Sequence, residues 1–154
     1  VPVDQRTIAS LFAADRTDHL LNAENGIAEK VAQGRMVLCD RYYFSSYAYH
    51  AQHIDMEWVI HANLLNAEIL RPDLTVFIDV EPRICIERIK KNRGRFDMYE
   101  KQDIMEKVRA NYFKAFDRLK DEEQIVVVDG NAGMDHVGQA VRKAVSELLG
   151  LAQH

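Results

Sequence analysis

The sequence predicts an α/β protein, a three-layer sandwich in which helices flank both faces of a parallel sheet. Three apolar runs have the length of strands, and each is continuous rather than alternating between apolar and polar residues: 36–40, 74–79 and 124–129. Continuous apolar runs are typical of strands buried on both faces. Helical segments separate the runs, which is the arrangement of parallel strands joined by crossover helices.

Glycine or proline marks the ends of most predicted helices, because neither residue continues a helix well. The first helical region ends at Gly34. The predicted segments are 4–32 with a break near Asn25 and Gly26, 44–70 as one or two helices ending before Pro72, a helix beginning at Pro82, a long helix from about 99 to 120, and a final helix over roughly 134–150.

Length and composition predict one domain over residues 1–154, because such a chain can bury a core and 47% of its residues are hydrophobic. The formal net charge of −4 excludes a broad basic surface, so nucleic acid is not an expected partner. The sequence shows neither a signal peptide nor a run apolar enough to cross a membrane. Cys39 and Cys85 lack metal-ligand spacing and are predicted to be buried thiols in a reducing compartment, which favours the cytoplasm.

The segment 40–50 carries the strongest functional signal, because Asp40 and Arg41 follow the first predicted strand and precede several aromatic and hydroxyl residues. An arginine can bind a phosphate through two donors, and aromatic rings can stack on a base. The structural alternative is that Asp40 caps the next helix and pairs with Arg41 on the surface. All three predicted strands end in aspartate, at the rim where ligands bind in parallel sheets. Of these, Asp79 is expected to be structural.

A second signal is a cluster of five cations within residues 88–95 of an otherwise acidic chain. A solvated helix end explains the two lysines, since cations favour a helix C-terminus. It explains Arg93 and Arg95 less well, because they flank Gly94 in a predicted loop. A closing loop that carries arginines is what phosphoryl transfer requires. The segment at about 90–100 is therefore a candidate lid, with a solvated surface loop as the alternative.

Four motifs in series resemble the thymidylate kinase family over nearly the whole chain. They are Phe12-Ala13-Ala14-Asp15-Arg16, then Asp40-Arg41-Tyr42 with Ser45 and Ala48-Tyr49, then Arg71-Pro72-Asp73-Leu74, and the loop 93–100 with its Asp-x-Tyr-Glu ending. The resemblance implies a P-loop NTPase-like fold of the nucleoside-monophosphate kinase type. It also implies transfer of the γ-phosphoryl group of ATP to dTMP with Mg²⁺, giving dTDP and ADP, in a homodimer.

The resemblance assigns the acceptor side of the reaction as follows. Phe12 stacks on the thymine ring and Arg16 donates to its carbonyl edge, which suits two neighbours on one helical face. Arg41 binds the acceptor phosphate, and Asp40 lies near the transfer site, acting through Mg²⁺-bound water or by orienting Arg41. The nucleoside pocket is lined by Ser45, Ser46 and Tyr49.

The resemblance assigns Arg88, Arg93 and Arg95 to the donor side of the reaction. The loop after the last strand, with Asn131 and Ala132, is expected to border the adenine. The first helix carries more apolar residues than one core-facing stripe requires, and the resemblance places it at a two-fold dimer interface. These residues are Ile8, Leu11, Phe12, Leu20 and Leu21.

The sequence departs from the family pattern in one major respect, since it contains no glycine-rich phosphate loop with its Lys and Ser/Thr. The chain opens at Val1 as if partway through the fold. We therefore expect a fold that is incomplete at the N-terminus and belongs to a longer protein. Two other functions stay open: a different deoxynucleotide or nucleoside kinase of the same fold, and a non-catalytic nucleotide-binding or dimerisation module.

Overall fold

The computed structural model describes the backbone of residues 2–93 and 99–151, and the side chains of 2–89 and 102–151. Within that part of the chain the elements are α1 (Gln5–Leu21), α2 (Ile27–Ala32), α3 (Tyr43–His50), α4 (Met56–Ala62), α5 (Leu64–Ile69), β1 (Thr75–Asp79), α6 (Pro82–Arg93), α7 (Tyr99–Leu119), β2 (Ile125–Asp129) and α8 (Met134–Leu148). The chain forms two compact units. Unit 1 contains Val1–Arg71 and Ala110–Ala115, and unit 2 contains Pro72–Arg109 and Phe116–His154.

In unit 1, local signals start and stop the first two helices. The Asp4 side chain accepts a hydrogen bond from the Arg6 backbone N–H at 2.8 Å, which caps α1. A Cβ at Gly26 would collide with the backbone carbonyl of Asn22, so the turn between α1 and α2 requires glycine there. The buried face of α1 includes the small residues Ala9 and Ala13, which let neighbouring helices approach closely.

The aromatic residues of α3 form the centre of the unit 1 core. Tyr43 and Tyr47 are both buried, and their rings stack with centroids 5.5 Å apart. The Asn111 side-chain amide on α7 donates to the Ala48 carbonyl at 3.1 Å, so α7 also holds α3 in place. Because α3 is fixed by its buried face, its exposed residues are presented from a rigid element.

Unit 2 contains a two-stranded parallel sheet, with register from Thr75↔Ile125 to Asp79↔Asp129. The Phe77 ring packs edge-on against Phe116 of α7 with centroids 5.1 Å apart, and α8 packs on β2. A Cβ at Gly130 would lie 2.5 Å from Val80 Cγ2 and 3.0 Å from the Asp79 carbonyl oxygen. Only glycine lets the two strand ends approach this closely.

The predicted strand at 36–40 is wrong. In the structure this segment has no regular secondary structure and pairs with no strand in the described residues. Met36 and Leu38 are 65% and 87% exposed, and Cys39 is exposed rather than buried. A strand is defined by its hydrogen-bonded partner, and an apolar run cannot supply that partner by itself.

The predicted α/β class with a parallel sheet and flanking helices is confirmed, and so are the strands that follow residues 74 and 124. Helix α6 begins at Pro82, and the predicted break near Gly26 separates α1 from α2. The region 44–70 forms three helices rather than one or two. No helix in the described part of the chain is long and apolar enough to cross a membrane. A single domain over 1–154 stays a prediction.

Candidate functional site

Arg16 lies half-buried in unit 1 among neutral hydrogen-bond partners. Its Nη1 donates to Asn63 Oδ1 at 2.5 Å, and its Nη2 donates to Ser46 Oγ at 3.1 Å. The guanidinium carbon also lies 5.5 Å from the centroid of the Tyr42 ring, a cation–π arrangement. Burial lowers the pKa of Arg16, yet arginine stays charged at neutral pH. The structure thus holds a fixed, partly desolvated cation at this position.

Phe12 lies one helical turn before Arg16 on α1, and the residue is 53% exposed. One part of the ring contacts His50 of α3, with centroids 5.3 Å apart and planes tilted by 52°. His50 itself is buried, and burial together with the nearby Arg16 and His53 lowers the pKa of its imidazole. The structure therefore places Phe12 and Arg16 beside His50 and Ser46 of α3, while the binding roles of Phe12, Arg16 and Ser46 stay predictions.

Arg41 has a strained backbone, with a φ of 65° in the left-handed region that disfavours residues with a side chain. Its guanidinium carbon lies 5.2 Å from the centroid of the Tyr49 ring, and its Nη2 is 3.5 Å from the Tyr49 hydroxyl. Asp40, immediately before it, is exposed and forms no hydrogen bond or ion pair with any described residue. The alternative in which Asp40 caps α3 and pairs with Arg41 is therefore wrong.

Tyr112 on α7 is a residue that the sequence reasoning missed. Its hydroxyl lies 2.9 Å from Ser45 Oγ, which joins two residues separated by 67 positions in the chain. Burial raises the pKa of Tyr112, and the charges of Arg41 and Asp40 also act on it. The hydroxyl stays protonated at neutral pH and is able to donate. Tyr112 thus belongs to the same cluster as Ser45, Tyr49, Asp40 and Arg41.

In unit 2, Arg88 holds the loop that follows β2. Its Nη1 donates to the Gly130 carbonyl at 3.0 Å and its Nη2 to the Asn131 carbonyl at 3.1 Å. The Asn131 side chain accepts from the Glu81 backbone N–H at 2.9 Å, while the Asn131 N–H donates to Asp129 at 2.9 Å. Arg88 and Asn131 are therefore brought together, and Ala132 follows them in the same half-exposed loop.

Asp79, at the end of β1, forms a two-point ion pair with Arg109 of α7. Arg109 Nε donates to Asp79 Oδ1 and Arg109 Nη2 to Asp79 Oδ2, each at 2.6 Å. These hydrogen bonds raise the pKa of Arg109. The arrangement fits the expectation that Asp79 is structural, since it anchors a helix to a strand end.

The predicted lid arginines lie outside what the structure describes, since Arg95 is not described and only the backbone of Arg93 is. Among the described residues, no group of three or more His, Cys, Asp or Glu side chains could hold a metal ion. A single carboxylate such as Asp40 is nevertheless compatible with Mg²⁺, which usually takes one or two carboxylates together with substrate phosphates and water.

The sequence model of the family described as "Thymidylate kinase" matches residues 1–141. The chain belongs to the thymidylate kinase family. A thymidylate kinase from Acholeplasma laidlawii is 41% identical over 153 residues, covering 96% of this chain and 72% of its own length. A probable thymidylate kinase from Staphylothermus marinus is 41% identical over 142 residues, covering 92% of this chain and 66% of its own length.

A thymidylate kinase from Geobacillus thermodenitrificans is 38% identical over 159 residues and covers 99% of this chain. The chain spans 66% of the length of the Staphylothermus marinus protein, 72% of the Acholeplasma laidlawii protein and 68% of the Geobacillus thermodenitrificans protein. Membership of the thymidylate kinase family confirms the resemblance that the four motifs indicated, and with it the P-loop NTPase-like type of fold.

Proposed function

We propose that the protein transfers the γ-phosphoryl group of ATP to dTMP, giving dTDP and ADP for the synthesis of dTTP. Family membership supports this reaction class. The observation that supports dTMP as the acceptor is the environment of Arg16. Its guanidinium group is a cation with neutral partners, and it lies beside the exposed aromatic ring of Phe12. A thymine site needs both a donor for the base carbonyl and a ring on which the base stacks.

Arg16 has donors to spare. A guanidinium carries five N–H groups, and Arg16 uses two of them on Asn63 and Ser46. No described carboxylate forms an ion pair with it, so the remaining donors keep their full charge. The carbonyl at position 4 of thymine or uracil accepts such a donor, whereas the amino group of cytosine leaves it unpaired. Phe12 supplies an exposed ring on which the base stacks.

The acceptor phosphate is bound by Arg41 in this proposal. The contact with the Tyr49 ring orients the guanidinium, and the left-handed backbone of Arg41 is a strain that a purely structural surface residue has no reason to keep. Asp40 offers a carboxylate for Mg²⁺, which when bound offsets the negative charge of the phosphates. Ser45 and Tyr112 share a hydrogen bond between their hydroxyls, and in this proposal they line the nucleoside pocket together.

The donor side of the proposal rests on unit 2. The loop at Asn131 and Ala132 borders the adenine of ATP, and Arg88 acts through this loop by fixing two of its carbonyls. Arg93 and Arg95 of the lid neutralise charge on the transferring phosphoryl group. Replacing the essential lid arginine with alanine is expected to lower kcat far more than it raises the KM for dTMP.

We further propose a cytoplasmic homodimer in which α1 forms the two-fold interface. Leu11 and Leu21 of this helix are 63% and 57% exposed, so an apolar face is open in the single chain. The same helix carries Phe12 and Arg16, which couples assembly to the base site.

The proposal is tested by a coupled assay of the full-length protein with ATP and five acceptors: dTMP, dUMP, UMP, CMP and dGMP. We expect dTMP to be the best acceptor and dUMP to be the only close competitor. Arg16→Met should abolish this preference while the protein stays folded. A preference for UMP or CMP would assign the protein to another kinase of the same fold, and binding of dTMP without turnover would indicate a non-catalytic module.

A further inference from the structure

Two asparagines are buried at the junction of α4 and α5, where Asn63 is 0% and Asn66 is 1% exposed. Burying a side-chain amide is unfavourable unless hydrogen bonds replace those to water. The backbone of this junction is already fixed, since the Asn63 N–H donates to the Ile60 carbonyl and the Asn66 N–H to the Asn63 carbonyl, each at 3.0 Å. The hydrogen bonds of the two side-chain amides must therefore come from other groups.

The amide of Asn63 has one possible orientation. Its Nδ2 donates to the Val59 carbonyl at 2.8 Å, a partner that can only accept. Its Oδ1 must then face the opposite side, where it accepts from Arg16 Nη1 at 2.5 Å. Asn63 thus presents an oxygen, and never an N–H, to the guanidinium.

Asn66 serves a different purpose. Its Nδ2 donates to the Ala13 carbonyl at 3.2 Å, and its Oδ1 accepts from the Thr17 hydroxyl at 2.8 Å. These bonds attach the body of α1 to α5. Asn66 therefore attaches α1 to α5, whereas Asn63 contacts the guanidinium group of Arg16.

We propose that Asn63 is a positioning residue that sets the base specificity of the site by orienting the Arg16 guanidinium. The inference rests on the proposed function. An arginine held only by its backbone samples many rotamers, and fixing it on ligand binding lowers affinity. Asn63 fixes it beforehand, together with Ser46. Since an amide oxygen is neutral, it orients the cation without cancelling the charge that attracts a base carbonyl.

The test measures dTMP and dCMP binding by calorimetry, together with kcat and KM, in the full-length protein. Asn63→Asp keeps the shape of the side chain but adds a negative charge beside Arg16, and Asn63→Ala removes the acceptor. We expect both to weaken dTMP binding about tenfold, the size of one charged hydrogen bond. The preference for dTMP over dCMP should narrow by a similar factor, while kcat changes little.

Thr17→Val is the matched control, because it removes a hydrogen bond to Asn66 and leaves the Arg16–Asn63 contact in place. It should lower the melting temperature but keep the wild-type dTMP to dCMP ratio. The proposal is overturned if the Asn63 variants keep that ratio, or if neither variant folds, since Asn63 would then be a core residue only. A wild-type protein without a preference for dTMP would instead refute the proposed function.

Discussion

Arg41 offers a test that separates the strain of its backbone from the loss of its guanidinium group. Its φ of 65° costs a residue with a Cβ about 1–2 kcal/mol, a cost that glycine does not bear. Glycine adds about 0.5–1 kcal/mol of chain entropy in the unfolded state. Arg41→Gly should therefore be more stable than Arg41→Ala by between about 0 and 1.5 kcal/mol in urea unfolding, with a central value of about 0.75 kcal/mol. Both variants lose the guanidinium, so their difference isolates the backbone.

The activity of both variants should fall together. A two-point contact with the acceptor phosphate contributes about 1.5–3 kcal/mol for each charged hydrogen bond, so kcat/KM should drop by roughly 10² to 10⁴. Arg41→Lys should not restore it, because an ammonium group cannot make the paired contact. The reasoning fails if Arg41→Ala retains near-normal turnover, or if Arg41→Gly is the less stable of the two.

Three further predictions concern pH, the strand anchor and assembly. Burial lowers the pKa of His50 in the folded protein, so protonation favours the unfolded chain, and stability should fall as the pH drops below 6.5, the ordinary pKa of histidine. The melting temperature of His50→Gln should therefore depend less on pH between pH 7.5 and 5.5. Arg109→Met should lower the free energy of unfolding by about 1–2 kcal/mol because Asp79 is left partly buried and unpaired, whereas Lys120→Met, in an exposed pair, should cause no measurable change. Leu11→Glu should yield monomers of low activity in sedimentation, unlike Met134→Glu, which alters an apolar residue that is even more exposed, at 90% against 63%. An Arg109→Met protein of wild-type stability or a dimeric Leu11→Glu protein would contradict these interpretations.

The helix boundaries that proline or glycine marks were predictable, because they depend on neighbouring residues, whereas the division of 44–70 into three helices was not predicted. Proline at Pro82 and glycine at Gly26 act within one turn of their own position, and the structure follows both. The strand at 36–40 was not predictable in this way, because a strand requires a partner elsewhere in the chain. Its apolar residues indicate only that the segment suits a buried environment.

The candidate site also contains contacts that the sequence could predict and contacts that it could not. Contacts between residues that are close in the chain, such as Arg41 with Tyr49, lie within one of the family motifs. Asn63 and Tyr112 lie 47 and 67 positions from the residues that they contact, so no local pattern connects them. One signal was available: Asn63 lies one turn after Val59, where an amide interrupts an apolar stripe and must find a partner.

The most direct measurement follows the labelled γ-phosphoryl group of ATP in the full-length protein, with dTMP and dCMP as acceptors in separate reactions. A site that donates to a base carbonyl rejects the amino analogue strongly, because its own donor is left unpaired. We predict labelled dTDP as the product and a kcat/KM for dTMP at least about a hundredfold above that for dCMP. Equal transfer to both nucleotides, or no transfer to dTMP, would contradict the central claim.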